Sequence, residues 1–321
     1  MSIEKSVAAD EYHSKDFDWE DLRRDIESDP SFSFHLSPFL QSSSPSSDSQ
    51  AWSHFHSRHS TGKFFKERRY LLKEFPDLLS CDDYSKVLEV GCGNGSTVLP
   101  ILRAKEKTSV YACDCSVEAL ERAMQNIADA DIENVIYRYH QFCCDFSVAQ
   151  FPKWLACDLC RTKRVEKSLP YYTCIKYEVN ESEGTLTSSP PNKDGRCCLG
   201  GVDFLTLIFT LSAVSPERMM TAVRECFSVL KPGGLLLFRD YGLYDMTMLR
   251  FEPEKRVGFR HYMRADGTLS YFFDLVCARD LFVGVGFIEL ELEYCCVKSV
   301  NRRKGKSMRR VWVHGKFQKP S

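Results

Sequence analysis

The stretch EVGCGNGSTVLP, Glu89–Pro100, decides the fold of this chain. It follows the apolar run KVLEVG and precedes a run with helical spacing, so its glycines lie in a turn between a strand and a helix. At Gly91, Gly93 and Gly95 no Cβ blocks a ligand, and the first amides of the helix can donate hydrogen bonds to it. The spacing differs from the dinucleotide fingerprint GxGxxG, and no Gly-Lys-Ser/Thr follows as in a P-loop.

Acidic residues in three consecutive strand units indicate which ligand binds there. Glu89 lies in the first unit, Asp114 ends SVYACD 23 positions after Gly91, and Asp145 ends VIYRYHQFCCD. An acid at the position of Asp114 typically binds ribose hydroxyls, and Asp145 could accept a hydrogen bond from an adenine amine. Asp114 alone fits nicotinamide and S-adenosylmethionine sites equally well, but the three acids together favour S-adenosylmethionine.

The elements around the loop predict an α/β fold. Strands and helices alternate from Lys86 to Asp145, and the alternation resumes with VDFLTLIFTLSAV, which is typical of a central parallel strand, and a helix that begins at Pro216. VLKPGGLLLF then gives a helix-loop-strand element of the methyltransferase type. A dehydrogenase would need a second domain with a catalytic His, Lys or Tyr, and the sequence shows no such constellation.

Composition divides the chain into three parts. Residues 1–50 are acidic and then rich in Ser and Pro, which predicts a partly helical, partly disordered extension with stable order from about Trp52. Residues 51–85 mix aromatic and basic side chains and predict an amphipathic helix through Phe65–Phe75. Residues 86–321 form the main domain, in which the polar segment at about 150–200 is typical of an insertion.

The sequence shows no secretory or transit signal, which favours a cytoplasmic protein that also enters the nucleus. The apolar runs are too short for a membrane span, and the acidic start suits neither a secretory signal nor a transit peptide. The 15 cysteines are therefore expected to be reduced. Cys157 and Cys160, with Cys174, Cys197 and Cys198, could supply four thiolates to zinc, but one CxxC without a matched second pair favours an insertion without metal.

The end of the chain is strongly basic, although the net charge of the whole protein is −1. The range 294–321 contains nine Lys or Arg and no Asp or Glu. Such a tail is expected of a polyanion binder. A solvated edge strand rich in lysine gives the same composition, so charge alone leaves both interpretations open.

Several stretches resemble the family of methyltransferases that form N3-methylcytidine in tRNA: KFFKERRYLLKEFP, VLEVGCGNGS, YACD, LIFTLSAV, VLKPGG, FRDYGLYDMTMLRF, ADGTLSYFF and RRVWVHGKFQKP. The resemblance spans roughly Trp52 to Pro320, apart from the insertion. It implies a class I methyltransferase fold, which is Rossmann-like, with a doubly wound, mostly parallel seven-strand sheet and here an N-terminal helical extension. It further implies S-adenosylmethionine as cofactor and the tRNA anticodon loop, commonly cytidine 32, as substrate. For some members it implies an aminoacyl-tRNA synthetase or another protein partner, and no membrane partner is expected.

The resemblance and the loop argument together assign roles to individual residues. The cofactor contacts are Trp52, His56, Glu89, Gly91, Gly93, Asp114, Asp145 and Ile208, with His56 standing where the family usually has tyrosine. The residues expected to contact RNA are Lys63, Lys66, Arg68, Arg69, Tyr244, Arg250, Arg302, Arg303, Arg309 and Arg310.

The predicted chemistry needs little acid–base assistance. N3 of neutral cytosine has an in-plane lone pair, so orientation toward the sulfonium methyl is the main task. The product ring is cationic, and a nearby carboxylate would stabilise the charge that develops. Asp240 is the candidate for that role or for holding the N4 amine, with Arg239 and Tyr241 beside it as further catalytic candidates.

Two other functions stay open on the sequence alone. The chain could be a class I methyltransferase for a protein or a small molecule, in which case the basic end is only a soluble edge. It could also be a non-catalytic module of the same fold that binds RNA or a protein partner.

Overall fold

The computed structural model describes residues 15–38, 48–58, 67–162, 197–301 and 306–321. The strands within these ranges are β1 (Lys86–Val90), β2 (Ser109–Asp114), β3 (Tyr139–Cys143), β4 (Val202–Ile208), β5 (Leu230–Tyr241), β6 (Arg256–Gly258), β7 (His261–Met263), β8 (Leu269–Tyr271), β9 (Ile288–Asn301) and β10 (Lys306–Gln318). The α-helices are α1 (Trp19–Ser28), α2 (Ser33–Leu36), α3 (Asp48–Arg58), α4 (Leu71–Glu74), α5 (Asp77–Ser80), α6 (Val98–Ala104), α7 (Val117–Ala128), α8 (Val135–Arg138), α9 (Asp158–Thr162), α10 (Pro216–Val229) and α11 (Leu275–Val283).

Seven strands form one central sheet in the order β3-β2-β1-β4-β5-β10-β9. β1 pairs in parallel with β2 on one side and with β4 on the other, whereas β10 is antiparallel to both β5 and β9. This order confirms the predicted doubly wound, mostly parallel class I methyltransferase fold. The stretch HYMRADGTLSYFF forms a hairpin of β7 and β8, and β6 adds a third strand to this smaller sheet.

Helices cover both faces of the central sheet because each buries one apolar stripe. α7 buries Leu120 and Ile127 in the core on one face, together with residues of α6. α10, which begins at Pro216 as predicted, buries Met219 and Val223 in the core on the other face. In the parts of the chain that the structure describes, no helix is long and apolar enough to cross a membrane.

The N-terminal helix α1 packs onto the domain. Its Leu22 and Ile26 are buried in a cluster with residues of the segment after β5 and of the β9–β10 pair. Trp19 stacks on Tyr294 of β9 at a centroid distance of 4.5 Å. The sequence predicts stable order only from about Trp52, but the ordered structure already includes α1. This acidic helix is ordered because the domain covers its short apolar stripe.

Two local predictions are wrong. The stretch VIYRYHQFCCD was expected to be all strand, but its first residues form α8, from which the buried Arg138 guanidinium donates to the Leu102 carbonyl at 2.8 Å. The helix expected through Phe65–Phe75 is confined to α4 in the residues that are described. Just before it, the Arg68 N–H bonds to the Ser96 carbonyl at 2.8 Å, so this residue is tied to the glycine turn and not to a helix of its own.

A buried set of charges joins α4 to the sheet. Arg239 of β5 forms an ion pair with Glu74, and both side chains are inaccessible to solvent. Glu74 also contacts His314 Nδ1 at 3.1 Å, and His314 Nε2 contacts Glu291 at 3.0 Å. Burial by itself would raise the pKa of Glu74, but Arg239 and His314 outweigh it and hold that pKa below its ordinary value. Glu74 is therefore a carboxylate whose charge the fold requires.

Glu74→Gln should destabilise the protein strongly, because it leaves Arg239 as an uncompensated buried cation. Removal of one partner of a buried pair costs about 3–5 kcal/mol, which urea unfolding can measure. Asp83→Asn is the matched control, since the Asp83 carboxylate that contacts Lys105 and Lys107 is exposed, and ion pairs of exposed carboxylates contribute little. Similar losses of stability in the two variants would contradict the role given to Glu74.

Candidate active site

A cavity of about 600 Å³ lies at the carboxyl ends of the central strands. It straddles the point between β1 and β4 where the strand order reverses, which is where open α/β sheets bind ligands. Residues from the side of β1–β3 line the first half of the cavity, and residues from the side of β5 and β10 line the second half. Its lining includes Trp52, His56, Arg68, Tyr70, Gly91, Gly93, Asn94, Asp114, Asp145, Ile208, Phe209, Ser212, Arg239, Tyr241, Arg264, Asp266, Arg310 and Trp312.

The glycine turn forms the floor of the first half. Gly91 has φ +67°, and a Cβ there would lie 2.3 Å from the Thr210 methyl carbon. Gly93 has φ +53°, and a Cβ there would project into the cavity, with His56 as its nearest neighbour at 3.9 Å. Both positions need glycine, the first for close packing on Thr210 and the second to leave room for a ligand.

Asp114 and Asp145 line the same half of the cavity. Asp114 ends β2, and its carboxylate accepts the N–H groups of Gly93 at 2.9 Å and Ser116 at 3.0 Å. Asp145 follows β3 and accepts the hydroxyl of Ser147 at 2.6 Å. These bonds fix the two carboxylates at the rim of the strands, where each can also accept from a ligand.

Two buried polar atoms in this half have no hydrogen-bond partner among the described residues. They are the indole N–H of Trp52, from α3, and the side-chain oxygen of Asn94, in the glycine turn. Unpartnered buried polar groups are rare in native structures and indicate a missing ligand or water. Together with the carboxylates and the open space over Gly93, they fit a nucleoside that offers hydroxyl and amine groups.

Glu89 differs from the other predicted cofactor contacts. It is fully buried beneath the turn, does not line the cavity, and accepts the hydroxyl of Thr206. Burial raises its pKa to about 8, although the hydrogen bond from Thr206 opposes this. Ile208, by contrast, ends β4 on the cavity wall, and its carbonyl accepts a long hydrogen bond of 3.4 Å from Arg68.

The second half of the cavity is cationic and aromatic. Arg264 donates to the Tyr241 hydroxyl at 3.3 Å and lies over that ring at 5.7 Å. Arg310 donates from Nε to Asp245 at 2.8 Å and lies 5.2 Å from the Trp312 ring centre. Aromatic faces beside fixed guanidinium groups are the surroundings in which proteins hold an unstacked nucleobase and its phosphates.

The three predicted catalytic residues occupy different environments. Tyr241 lines the cavity, and Arg239 reaches it from beneath, 4.4 Å from the Trp312 ring centre. Asp240 is fully buried and does not line the cavity; its two oxygens accept the N–H groups of Ser212 at 2.9 Å and Tyr241 at 2.8 Å. Burial raises the pKa of Asp240 to about 6, against the opposing effect of these hydrogen bonds.

The basic residues among the predicted RNA contacts separate into three groups. Arg68 and Arg310 line the cavity, whereas Arg69, Arg250 and Arg309 reach solvent outside it. The remaining basic residues, Lys63, Lys66, Arg302 and Arg303, lie outside the described residues.

Tyr244 does not face the cavity. It is buried against the N-terminal segment, where its hydroxyl donates to Glu27 at 3.0 Å and its ring stacks on Trp19. Its left-handed backbone, with φ +67°, turns the side chain toward α1. The α1 contact that decides its position involves a residue more than 200 positions away, so the loop sequence alone could not reveal it.

Sequence reasoning missed several residues of the cavity wall, notably Asn94, Phe209, Arg264, Asp266 and Trp312. Arg264 and Asp266 lie on the β7–β8 turn, and Trp312 lies on β10, so the fold brings them together from distant parts of the chain. A usable signal did exist. The stretches ADGTLSYFF and RRVWVHGKFQKP carry the family resemblance, and both contribute to this wall.

Comparisons with known proteins agree with this geometry. Residues 64–288 match a family model described as a methyltransferase domain. The chain is 34% identical to the tRNA N(3)-cytidine methyltransferase METTL6 of Rattus norvegicus over 289 residues, which cover 89% of this chain and 84% of that protein. It is 33% identical to the tRNA N(3)-methylcytidine methyltransferase Mettl2 of Drosophila melanogaster, over 84% of this chain and 70% of that protein. A solved S-adenosylmethionine-dependent methyltransferase from Anabaena variabilis ATCC 29413 matches with a TM-score of 0.56, over 88% of this chain and 99% of that one, at 13% identity, which shows a shared fold.

Stability should depend on pH through Glu89. Its folded pKa of about 8 exceeds its ordinary value of 4.5, so the folded state keeps a proton that the unfolded state releases. This contribution is fully present below about pH 4.5 and is lost as pH rises through about 8, with a slope of about 1.4 kcal/mol per pH unit. Glu89→Gln imitates the protonated form, so its stability relative to the natural chain should rise with pH across this window. Urea unfolding at several pH values measures both proteins, and parallel stability curves would contradict the assignment.

Proposed function

Because the chain belongs to the tRNA N(3)-cytidine methyltransferase family, we propose that it transfers a methyl group from S-adenosylmethionine to N3 of a cytidine in the tRNA anticodon loop. The observation that carries the proposal is the single cavity that joins a glycine-and-carboxylate half to a cationic, aromatic half. Direct transfer of a methyl group requires that the methyl donor and the nucleobase bind in the same cavity. The basic, aromatic half favours a nucleic acid over a protein or a neutral small molecule.

The first half of the cavity fits S-adenosylmethionine. Asp114 would accept from the ribose hydroxyls and Asp145 from the adenine amine, while Trp52 and Asn94 supply the donor and acceptor that are unpartnered in the structure. Gly93 lets the ligand approach the backbone. When bound, S-adenosylmethionine supplies an electrophilic methyl group on a sulfonium. The protein's task is then to orient the acceptor and exclude water.

The second half fits a cytosine that has left the stack of the loop. Tyr241 and Trp312 offer aromatic faces, and Asp266 brings a carboxylate to the cavity wall. N3 of cytosine needs no general base, since its lone pair is already free. A carboxylate near the ring stabilises the positive charge that develops there, and it can also accept from the N4 amine. We assign this role to Asp266, which replaces Asp240 as the candidate.

Asp240 acts as a positioning residue. Its carboxylate holds the backbone of Ser212 and Tyr241, and both of these residues line the cavity. It therefore sets the wall against which the base is placed without touching the base itself. Arg239 supports the same wall through its contacts with Trp312 and Phe209.

The remaining details of the function are proposals from the family resemblance. The target is cytidine 32, and the exposed Arg69, Arg250 and Arg309 extend RNA contact beyond the cavity together with the basic residues outside the described ranges. An aminoacyl-tRNA synthetase or another protein partner assists with tRNA. The protein works in the cytoplasm and also in the nucleus, in keeping with the free thiols of all cysteines in the described parts of the chain.

The purified chain, incubated with S-adenosylmethionine and an unmodified tRNA, should produce N3-methylcytidine, which mass spectrometry of the digested nucleosides detects. Uridine in place of cytidine 32 should abolish the product, and reactions with and without a cognate synthetase test the partner. Asp114→Ala should weaken cofactor binding by tenfold or more, because a hydrogen bond to a charged group contributes about 1.5–3 kcal/mol. Asp129→Ala, outside the cavity, is its matched control. Methylation of a protein instead of tRNA, or no methylation under any of these conditions, would refute the proposed function.

Arg264→Ala should lower kcat/KM for tRNA by about tenfold or more while cofactor affinity stays unchanged. The substitution removes a cation of the base half that also orients Tyr241, and such a contact contributes about 1.5–3 kcal/mol. Arg279→Ala removes a surface arginine that pairs with Glu289 and does not line the cavity, so it should behave like the natural chain. If Arg264→Ala weakened cofactor binding instead, the division of the cavity into two halves would be wrong.

A further inference from the structure

Four cysteine sulfurs meet between α9 and the backbone that precedes β4. Cys157 and Cys160 lie at α9, and Cys197 and Cys198 lie shortly before β4. Their sulfur atoms all lie within 4.8 Å of one another. The individual Sγ–Sγ distances are 3.6 Å for Cys157–Cys197, 3.4 Å for Cys160–Cys198, 3.9 Å for Cys160–Cys197 and 3.9 Å for Cys197–Cys198.

These distances match the edges of a tetrahedral metal–thiolate site. A zinc ion bonds to thiolate sulfur at about 2.3 Å, which places the four sulfurs of a tetrahedron about 3.8 Å apart. A disulfide would bring two sulfurs to about 2.05 Å, and all four cysteines have free thiols. Four sulfurs brought together at van der Waals contact without a covalent bond thus resemble a metal site more closely than an oxidised pair.

The backbone around the sulfurs is held in place by the domain. The Gly200 N–H donates to Cys198 Sγ at 3.2 Å, a bond that stabilises a thiolate in the way outer-shell donors do in metal sites. The neighbouring Leu199 N–H donates to the Trp154 carbonyl at 2.8 Å. On the side of the first cysteine pair, Arg161 of α9 forms an ion pair with Glu225 of α10 at 2.7 Å. Both cysteine pairs therefore project from backbone that is already anchored.

The cluster lies at the amino ends of the parallel strands, whereas the cavity lies at their carboxyl ends. Cys198 precedes the start of β4, whereas Ile208 at the end of this seven-residue strand lines the cavity. Seven residues of strand span roughly 20 Å. The Lys86 side chain, at the start of β1, donates to the Leu199 carbonyl at 2.8 Å, which confirms that this is the amino end of the parallel strands. A metal here would be remote from methyl transfer.

We propose that Cys157, Cys160, Cys197 and Cys198 bind one structural zinc ion, which joins α9 to the backbone just before β4. Four protein ligands leave no open position for substrate, as in structural zinc sites. The proposal is independent of the proposed methyl transfer. It replaces the expectation from sequence that the insertion holds no metal. Cys174, the fifth cysteine of the insertion, lies outside the described residues.

The test is zinc content. The full chain, reduced, loaded with zinc and desalted, should retain one zinc ion per chain by mass spectrometry of the metal, and Cys160→Ser/Cys198→Ser should lose it. The control, Cys81→Ser/Cys277→Ser, removes two half-buried thiols outside the cluster and should keep its zinc. Retention of zinc by Cys160→Ser/Cys198→Ser, or its loss from the control alone, would overturn the proposal.

A second measurement on the natural chain does not depend on whether a variant folds. Cobalt substituted for zinc should show the strong visible bands of a tetrahedral ion and the near-ultraviolet charge transfer of thiolate ligands. A natural chain with four reduced thiols that binds neither metal would overturn the proposal. A cobalt spectrum typical of six oxygen or nitrogen ligands would do the same.

Discussion

The buried ion pair between Arg239 and Glu74 is the interaction on which the cavity depends. Glu74 belongs to a helical turn that precedes the sheet. Arg239 lies near the end of β5, the strand at which the parallel part of the sheet meets the antiparallel strands. With both charges withdrawn from water, neither can be lost without leaving the other uncompensated. The Arg239 side chain then lies against Trp312 and Phe209 in the cavity wall. A folding constraint therefore also shapes the wall of the active site.

The cavity suits a reaction whose nucleophile needs no activation. Cytosine N3 carries a free lone pair, so the described cavity provides placement and charge stabilisation. Its carboxylates line different parts of the wall, and in the proposed arrangement Asp114 and Asp145 bind the cofactor while Asp266 contacts the base. Buried Asp240 orders the loop and strand beneath them. The arrangement agrees with catalysis through orientation and electrostatics, which are the effects that a methyl transfer to a ring nitrogen requires.

Local pattern predicted the fold well, because the fold depends on neighbours in sequence, and the same pattern includes the glycines and acids that line one half of the cavity. The glycine turn, Asp114 and Asp145 follow successive strands, and parallel topology brings such positions to one edge. The base half could be predicted only in part, because Arg264 and Trp312 reach the cavity from a β-turn and an antiparallel strand whose pairing no short pattern encodes. Tyr244 shows the same limit, since α1, from the other end of the chain, decides where its ring lies.

The central claim is that one cavity holds the methyl donor and the target base together. A structure of the full chain with S-adenosylhomocysteine and an anticodon stem-loop RNA tests it most directly. The account predicts the nucleoside of the cofactor product against Asp114 and Gly93, and an unstacked cytosine against Tyr241 and Trp312. The N3 atom of this cytosine should face the cofactor sulfur, with room between the two atoms for the methyl group that is transferred. A cytosine that remains stacked in the loop, or one bound outside the cavity, would contradict the account.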